Sequence, residues 1–204
     1  LMLTVLTLAP SGRVMMTAFT RIVIILSFVN RALSTQNLPP SQIIVGLSLI
    51  LTFMVMQPTF TEIKDEALVP YIDEESSQKE MFLWAEVPMR AFMFKHTRRD
   101  DVKLFIDLTE FDPGKPKGEV LRSDIPTHIL VPAFVISELK TAFLMGFAIF
   151  IPFLLVDVVV STVLMSMGMF MMPPVIVSTP FKVLLFVLAD GWHLVALSLG
   201  ESFG

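Results

Sequence analysis

Between Val158 and Phe181 the chain carries no charged residue, and within that stretch it reads Met165-Ser-Met-Gly-Met-Phe-Met-Met-Pro-Pro174. Five of the chain's 14 methionines fall within these eight residues from Met165 to Met172. Gly168 loosens a helix here, and the Pro173-Pro174 pair ends one. Methionine is unbranched, flexible and polarizable, so it fills irregular gaps and follows changing contacts. A methionine cluster at a backbone break, at membrane depth, has the character of an adaptable apolar seal. Read alone, the same residues fit plain packing in a core or against lipid, which is the simpler reading.

The composition points the same way. Of the 204 residues, 54% are hydrophobic, and the mean hydropathy is +0.73. Soluble domains are usually about 45–50% apolar, so a membrane protein, or one packed like it, is expected. The chain has no cysteine, which excludes disulfides and thiolate metal sites. A net charge of -4 gives no reason to invoke nucleic acid. The chain opens on Leu1 inside an apolar run, so the start of the gene product is expected upstream.

Three parts follow in order. Residues 1–61 are expected to form an N-terminal apolar helical hairpin. Its first segment, Leu1 to Val29, is interrupted by Arg13 and Arg21; after Pro39-Pro40 comes a second segment, Ile43 to Met56, closed or kinked by Pro58. Residues 62–126 are a polar insertion. Glu62 to Asp124 holds 10 Lys/Arg and 15 Asp/Glu, a net of -5, whereas the remainder holds 5 basic and 4 acidic residues. The positive-inside rule does not draw such a segment to the cytoplasm, so it is placed on the outer side. Amphipathic helical patches run through Ser76–Phe111, and Asp112-Pro-Gly-Lys-Pro-Lys-Gly118 is a loop. Residues 127–204 form a C-terminal apolar hairpin: a third helix over Ala133–Val156, a fourth over Val158–Met172 opened by Asp157, and then Val175–Leu199. The fold class is all-α: helical hairpins of long apolar helices with a smaller polar helical insertion.

The embedded charges carry the assembly argument. A lone arginine at a bilayer centre costs at least about 2.5–3.5 kcal/mol. Lipid-facing helices need roughly 20 nearly uncharged residues, and only Val158–Phe181 and Ser41–Thr61 approach that. Arg21, Glu138, Lys140, Asp157, Lys182 and Asp190 all lie within apolar segments. Such helices are expected to pack on protein, in an obligate oligomer held partly by ion pairs between subunits. Glu138 and Lys140 are two residues apart and point to different sides. Ala142 and Gly146 form a small-xxx-small pair that permits close helix approach.

Catalytic patterns are missing. The sequence has no phosphate-binding glycine-rich loop, no dinucleotide turn, no His-Glu-x-x-His and no Gly-x-Ser-x-Gly. His96, His128 and His193 lie far apart and near no ligand-spaced carboxylate. No enzyme activity, metal or cofactor is expected. Asp157 and Asp190 could in principle serve an intramembrane aspartyl mechanism, but helix-end or ion-pair roles are favoured.

The chain resembles the FliP family of flagellar type III export-gate proteins. The matching stretches are Leu6-Thr-Leu-Ala-Pro10, Phe19-Thr-Arg-Ile22, Pro132-Ala-Phe-Val-Ile-Ser-Glu-Leu-Lys-Thr-Ala-Phe143, Ile151-Pro-Phe153, Val163-Leu-Met-Ser-Met-Gly-Met169 and Pro180-Phe-Lys182 through Asp190-Gly-Trp192. Ser137-Glu-Leu-Lys-Thr-Ala and Pro180-Phe-Lys favour the flagellar over the injectisome branch. The resemblance implies a ring of about five copies that joins FliQ and FliR at the centre of the basal body. It further implies association with FlhB, FlhA and the assembly factor FliO, in the inner membrane. Unfolded flagellar proteins would pass through the pore. The family's methionine-rich gasket maps onto Met169, Phe170 and Met171, with Gly168, Pro173 and Pro174 as loop hinges. Phe170 stands where relatives often carry methionine, and Leu144 where they usually carry a polar residue. The family's helices rise above the bilayer plane and pack on protein. Glu138 is expected against a neighbouring subunit, with Lys182 and Arg21 as candidate partners. A self-sufficient channel or small-solute transporter is the alternative reading, and a membrane-embedded hydrolase a third.

Overall fold

A computed structural model describes residues 14–35, 39–112, 114 and 121–204. The Leu6–Pro10 motif, Arg13 and most of the Asp112–Gly118 loop lie outside the described residues. The protein is 81% helical, with no strand among the described residues, as an all-α reading requires.

Helix α1 spans Phe19–Ala32 and buries Arg21, Ile22, Ile25, Leu26, Val29 and Ala32. This spacing places one face inward. Ser34, in the left-handed region at φ 53°, stops it. Helix α2 runs over Ser41–Ile72 and includes a π-helical turn at Lys64–Leu68. The Pro40 carbonyl accepts from the Ile43 and Ile44 amides at 2.9 and 3.3 Å, so the proline pair does open this helix. Pro58 does not close it. The helix continues through the exposed Pro58 at the loss of one backbone bond.

Helix α3, Gln78–His96, starts at a capping box. Ser77 Oγ accepts from the Glu80 amide at 3.3 Å, and the Ser77 amide donates to Glu80 Oε2 at 2.8 Å. Helix α4 covers Arg99–Leu108. Helix α5 is a single element of 40 residues, Thr127–Ser166. The expected third and fourth helices are therefore one. Asp157 does not open a helix; it lies mid-helix, where a neighbour neutralises it, as described below. The expected final segment is divided instead. Helix α6, Pro174–Leu188, and helix α7, Gly191–Glu201, meet at a 63° bend.

Two compact units interleave along the chain. One comprises residues 1–20 and 51–140, the other residues 21–50 and 141–204. In the first, Met56, Phe92, Met93, Ile129, Leu130 and Phe134 are buried. The Phe92 and Phe134 rings meet edge-on at 6.0 Å. Burying a side chain such as Phe134 contributes about 1.5–3 kcal/mol. Polar ties brace this unit. Arg90 reaches the Ile125 carbonyl at 2.6 Å and Thr127 Oγ1, and Thr127 donates to Glu86. Ser137 Oγ, fully buried, accepts from the Arg98 amide at 3.0 Å and donates to Asp101, fixing the turn into α4.

In the second unit α1 packs on α5 through the small residues. A Cβ on Gly146 would lie 2.6 Å from the Phe28 ring, and Phe28 stands edge-on to Phe143 at 5.5 Å. The close approach expected at Ala142–Gly146 is made to Phe28.

Candidate functional site

The methionine run begins inside α5 and ends at α6. Its turn follows from local backbone chemistry. After Ser166 the Gly168 amide donates to the Met165 carbonyl at 3.0 Å, and the Met169 amide to the Leu164 carbonyl at 3.0 Å. Gly168 has φ +75°. This pair of bonds around a left-handed glycine is a Schellman cap. Gly168 is thus the helix stop. Pro173 is the N-cap of α6 and Pro174 its first residue, where the missing N–H costs nothing.

Between these two stops stand Met169, Phe170, Met171 and Met172. Phe170 is 78% and Met171 97% exposed in the single chain, while Met169 is 38% exposed. Met165 belongs to the helix and Met167 to the turn that follows it. The segment therefore presents a short row of apolar side chains, three of them flexible thioethers, on a backbone pinned at both ends. Its chemistry is contact: it has no acid, base or nucleophile.

The charged residues of the apolar helices fall into separate places. Lys182, 1% exposed, donates from Nζ to Asp157 Oδ2 at 2.7 Å and to Ser34 Oγ at 2.9 Å. Ser178 Oγ donates to Asp157 Oδ1 at 2.5 Å. The C-terminal end of α1, the middle of α5 and α6 are thereby tied through one buried polar cluster. Arg21, 3% exposed, donates to the Ser202 carbonyl at 2.7 Å and Oγ at 3.1 Å, and its guanidinium lies 3.9 Å over the Phe203 ring. Lys182 and Arg21, expected opposite Glu138, thus hold partners in their own chain. Glu138 is fully buried in the other unit and has an interaction of its own, while Lys140 is exposed.

Asp190 sits at the α6–α7 bend with φ 49°, a helix-end place. Gly191 follows because a Cβ there would lie 2.2 Å from the Phe186 ring. Trp192 then meets Phe186 edge-on at 5.2 Å. The Asp-Gly-Trp motif thus reads as left-handed turn, close approach and ring lock. Asp157 and Asp190 have different surroundings: the first is bonded to Lys182 and Ser178, the second is exposed on the turn.

Sequence reading missed the serines. Ser34, Ser137, Ser178 and Ser202 each engage a charged residue or the turn that carries one. A signal existed for one of them: Ser178 and Lys182 are four residues apart and share a face of an otherwise apolar helix.

Comparison with known proteins gives a consistent result. A model of the FliP family matches residues 2–199. The chain is 56% identical over 203 residues to "Flagellar biosynthetic protein FliP" of Bacillus subtilis (strain 168), covering 100% of this chain and 90% of that relative. It is 48% identical over 202 residues to the protein of that name from Aquifex aeolicus (strain VF5), covering 98% and 83%. With Borreliella burgdorferi it shares 44% over 206 residues, covering 100% and 79%. With matches of that extent over nearly every residue, the chain belongs to the FliP family.

Proposed function

We propose that the chain is a flagellar biosynthesis protein of the membrane-embedded export machinery, and that it is a core, non-enzymatic subunit of the export gate. The observation that carries this reading is the family match over residues 2–199. In this reading about five copies form a ring in the inner membrane, at the basal body, together with FliQ and FliR. FlhB, FlhA and FliO act beside it, and unfolded flagellar proteins pass through. The polar insertion, residues 62–126, faces the periplasm. Met169, Phe170 and Met171 seal the closed pore, with Gly168, Pro173 and Pro174 setting the geometry of the loop.

The physical case for the seal is that thioethers reshape without breaking hydrogen bonds. A row of them held between a Schellman cap and a proline pair can yield to a passing chain and close again behind it. The decisive experiment replaces Met169, Phe170 and Met171 together with glycine in cells carrying the whole export apparatus. The variant should assemble, yet pass small ions at rest, read as loss of membrane potential or growth sensitivity to small permeants. A variant as tight as the parent overturns the seal. Loss of assembly is separated from loss of sealing by isolating the complex on native gels.

A further inference from the structure

Charge is segregated within the polar insertion. From Glu62 to Glu80 there are seven acidic and two basic residues, a net of -5. From Arg90 to Lys103 there are five basic and two acidic residues, a net of +3. The acidic end is the exposed turn between α2 and α3. Helix α2 stops at Ile72, which is 72% exposed, and the chain turns through Asp73, Glu74 and Glu75, all exposed, with Glu74 in the left-handed region at φ 60°. No hydrogen bond or ion pair engages these three carboxylates among the described residues. An exposed branched aliphatic beside three carboxylates is an anchor with an acidic collar.

The basic end is a cleft of about 170 Å³ lined by Phe94, Thr97, Arg99, Val102, Arg122 and Ile125. Its apolar part is Phe94, Val102 and Ile125; Arg99 and Arg122 are exposed, and the guanidiniums of Arg122 and Arg90 lie 5.9 and 5.6 Å over the Phe94 ring. Of the nearby acids, Asp101 accepts from Ser137 Oγ and Asp124 from the Leu121 amide at 2.8 Å, while Asp100, next to Arg99, is exposed. Arg99 is the first residue of α4, where the helix dipole opposes a cation and favours a carboxylate. An apolar lining with exposed cations complements an apolar anchor with an anionic collar.

We infer that the Ile72–Glu75 turn of one copy docks in the Phe94–Arg99–Arg122 cleft of the next copy. Two different patches meet, so the contact is head-to-tail, and it generates a ring when the rotation closes. The closure, though not the contact, rests on the ring reading above.

The cysteine-free chain makes the test clean. Two differently tagged full-length chains, one with Ile72→Cys and one with Val102→Cys, are co-expressed with the other export components and oxidised in membranes. A disulfide between the two tags is expected, in clear excess over Ile72→Cys pairing with itself. Adding Glu74→Lys to the first chain should lower that yield about tenfold, and Arg122→Glu in the second should restore it. An intact oligomer without the mixed disulfide overturns this contact and leaves the ring standing. Monomers throughout overturn both. Anionic phospholipid retained only while Arg99 and Arg122 are intact, with no mixed disulfide, assigns the cleft to lipid and overturns the proposal.

Discussion

Lys182 is 1% exposed in a helix otherwise built of apolar side chains, and it is tolerable there because Asp157 and Ser34 receive its donors. Removing one partner of a buried pair costs about 3–5 kcal/mol, mostly the penalty of the charge left behind. Asp157 keeps 24% of its side-chain surface, so the lower end applies here, about 3 kcal/mol. Lys182→Met should therefore lower thermal stability of the detergent-solubilised protein sharply. Combining it with Asp157→Leu should recover most of the loss, because a pair replaced by apolar groups leaves no orphan. A single variant as stable as the parent would show that the cluster contributes little. The charges themselves were legible in the sequence, but their partners were not. Lys182 and Asp157 are 25 positions apart and Arg21 and Ser202 are 181 apart, so no local pattern joins them. Gly191 is similar: its need for a bare Cα comes from the Phe186 ring across the bend.

Helices were legible as types and less so as lengths. Pro58 and Asp157 are sound local signals of a boundary, yet α2 and α5 continue through both. Asp157 is neutralised by a cation from α6, and Pro58 is carried within a long helix at the loss of one bond. At the methionine run the breakers act, but in other roles than expected: the Gly168 cap stops α5 at Ser166, short of Met172, and Pro173-Pro174 open α6 where they were expected to end a helix. The start of α3 is also decided locally, and it sets a pH dependence. The Ser77 amide, and then its hydroxyl, hold the Glu80 carboxyl below the usual carboxylate range. A carboxyl lowered in the folded state stabilises above its unfolded pKa, and that contribution is lost as pH falls through the folded value. The first turn of α3 should thus fray on acidification through and below the usual carboxylate range. Hydrogen exchange of a peptide covering residues 76–84, corrected for intrinsic rates, reads this directly. Glu80→Gln should abolish the pH dependence, and a parent protein with pH-independent protection would refute it.

At the scale of the molecule, the long apolar helices leave much of their surface uncovered within one chain. The sequence reading rested on embedded charges seeking partners in other subunits, but Arg21, Asp157 and Lys182 find theirs within the chain. Length and exposure show how much apolar surface is left for something outside the chain to cover. Forty residues of α5 extend about 60 Å, roughly twice the ~30 Å hydrocarbon core of a bilayer. In its most apolar 18-residue window only 11% is buried within the chain, against 28% for α2. The α5 window spans about 27 Å, close to the ~30 Å of a hydrocarbon core, so either lipid or a neighbouring protein covers it. Leu155 and Val159, 61% and 62% exposed, lie on this uncovered surface beside a wholly apolar cleft of about 520 Å³ between α5 and α6. A tryptophan at Leu155, in a chain with Trp84 and Trp192 changed to Phe, reports what covers it. In the assembled complex, brominated lipids should leave its fluorescence nearly unquenched, whereas in the chain reconstituted alone the same lipids should quench it. Equal quenching in both would mean that α5 faces lipid in the assembly, and the ring would then have to be built from other faces of the chain.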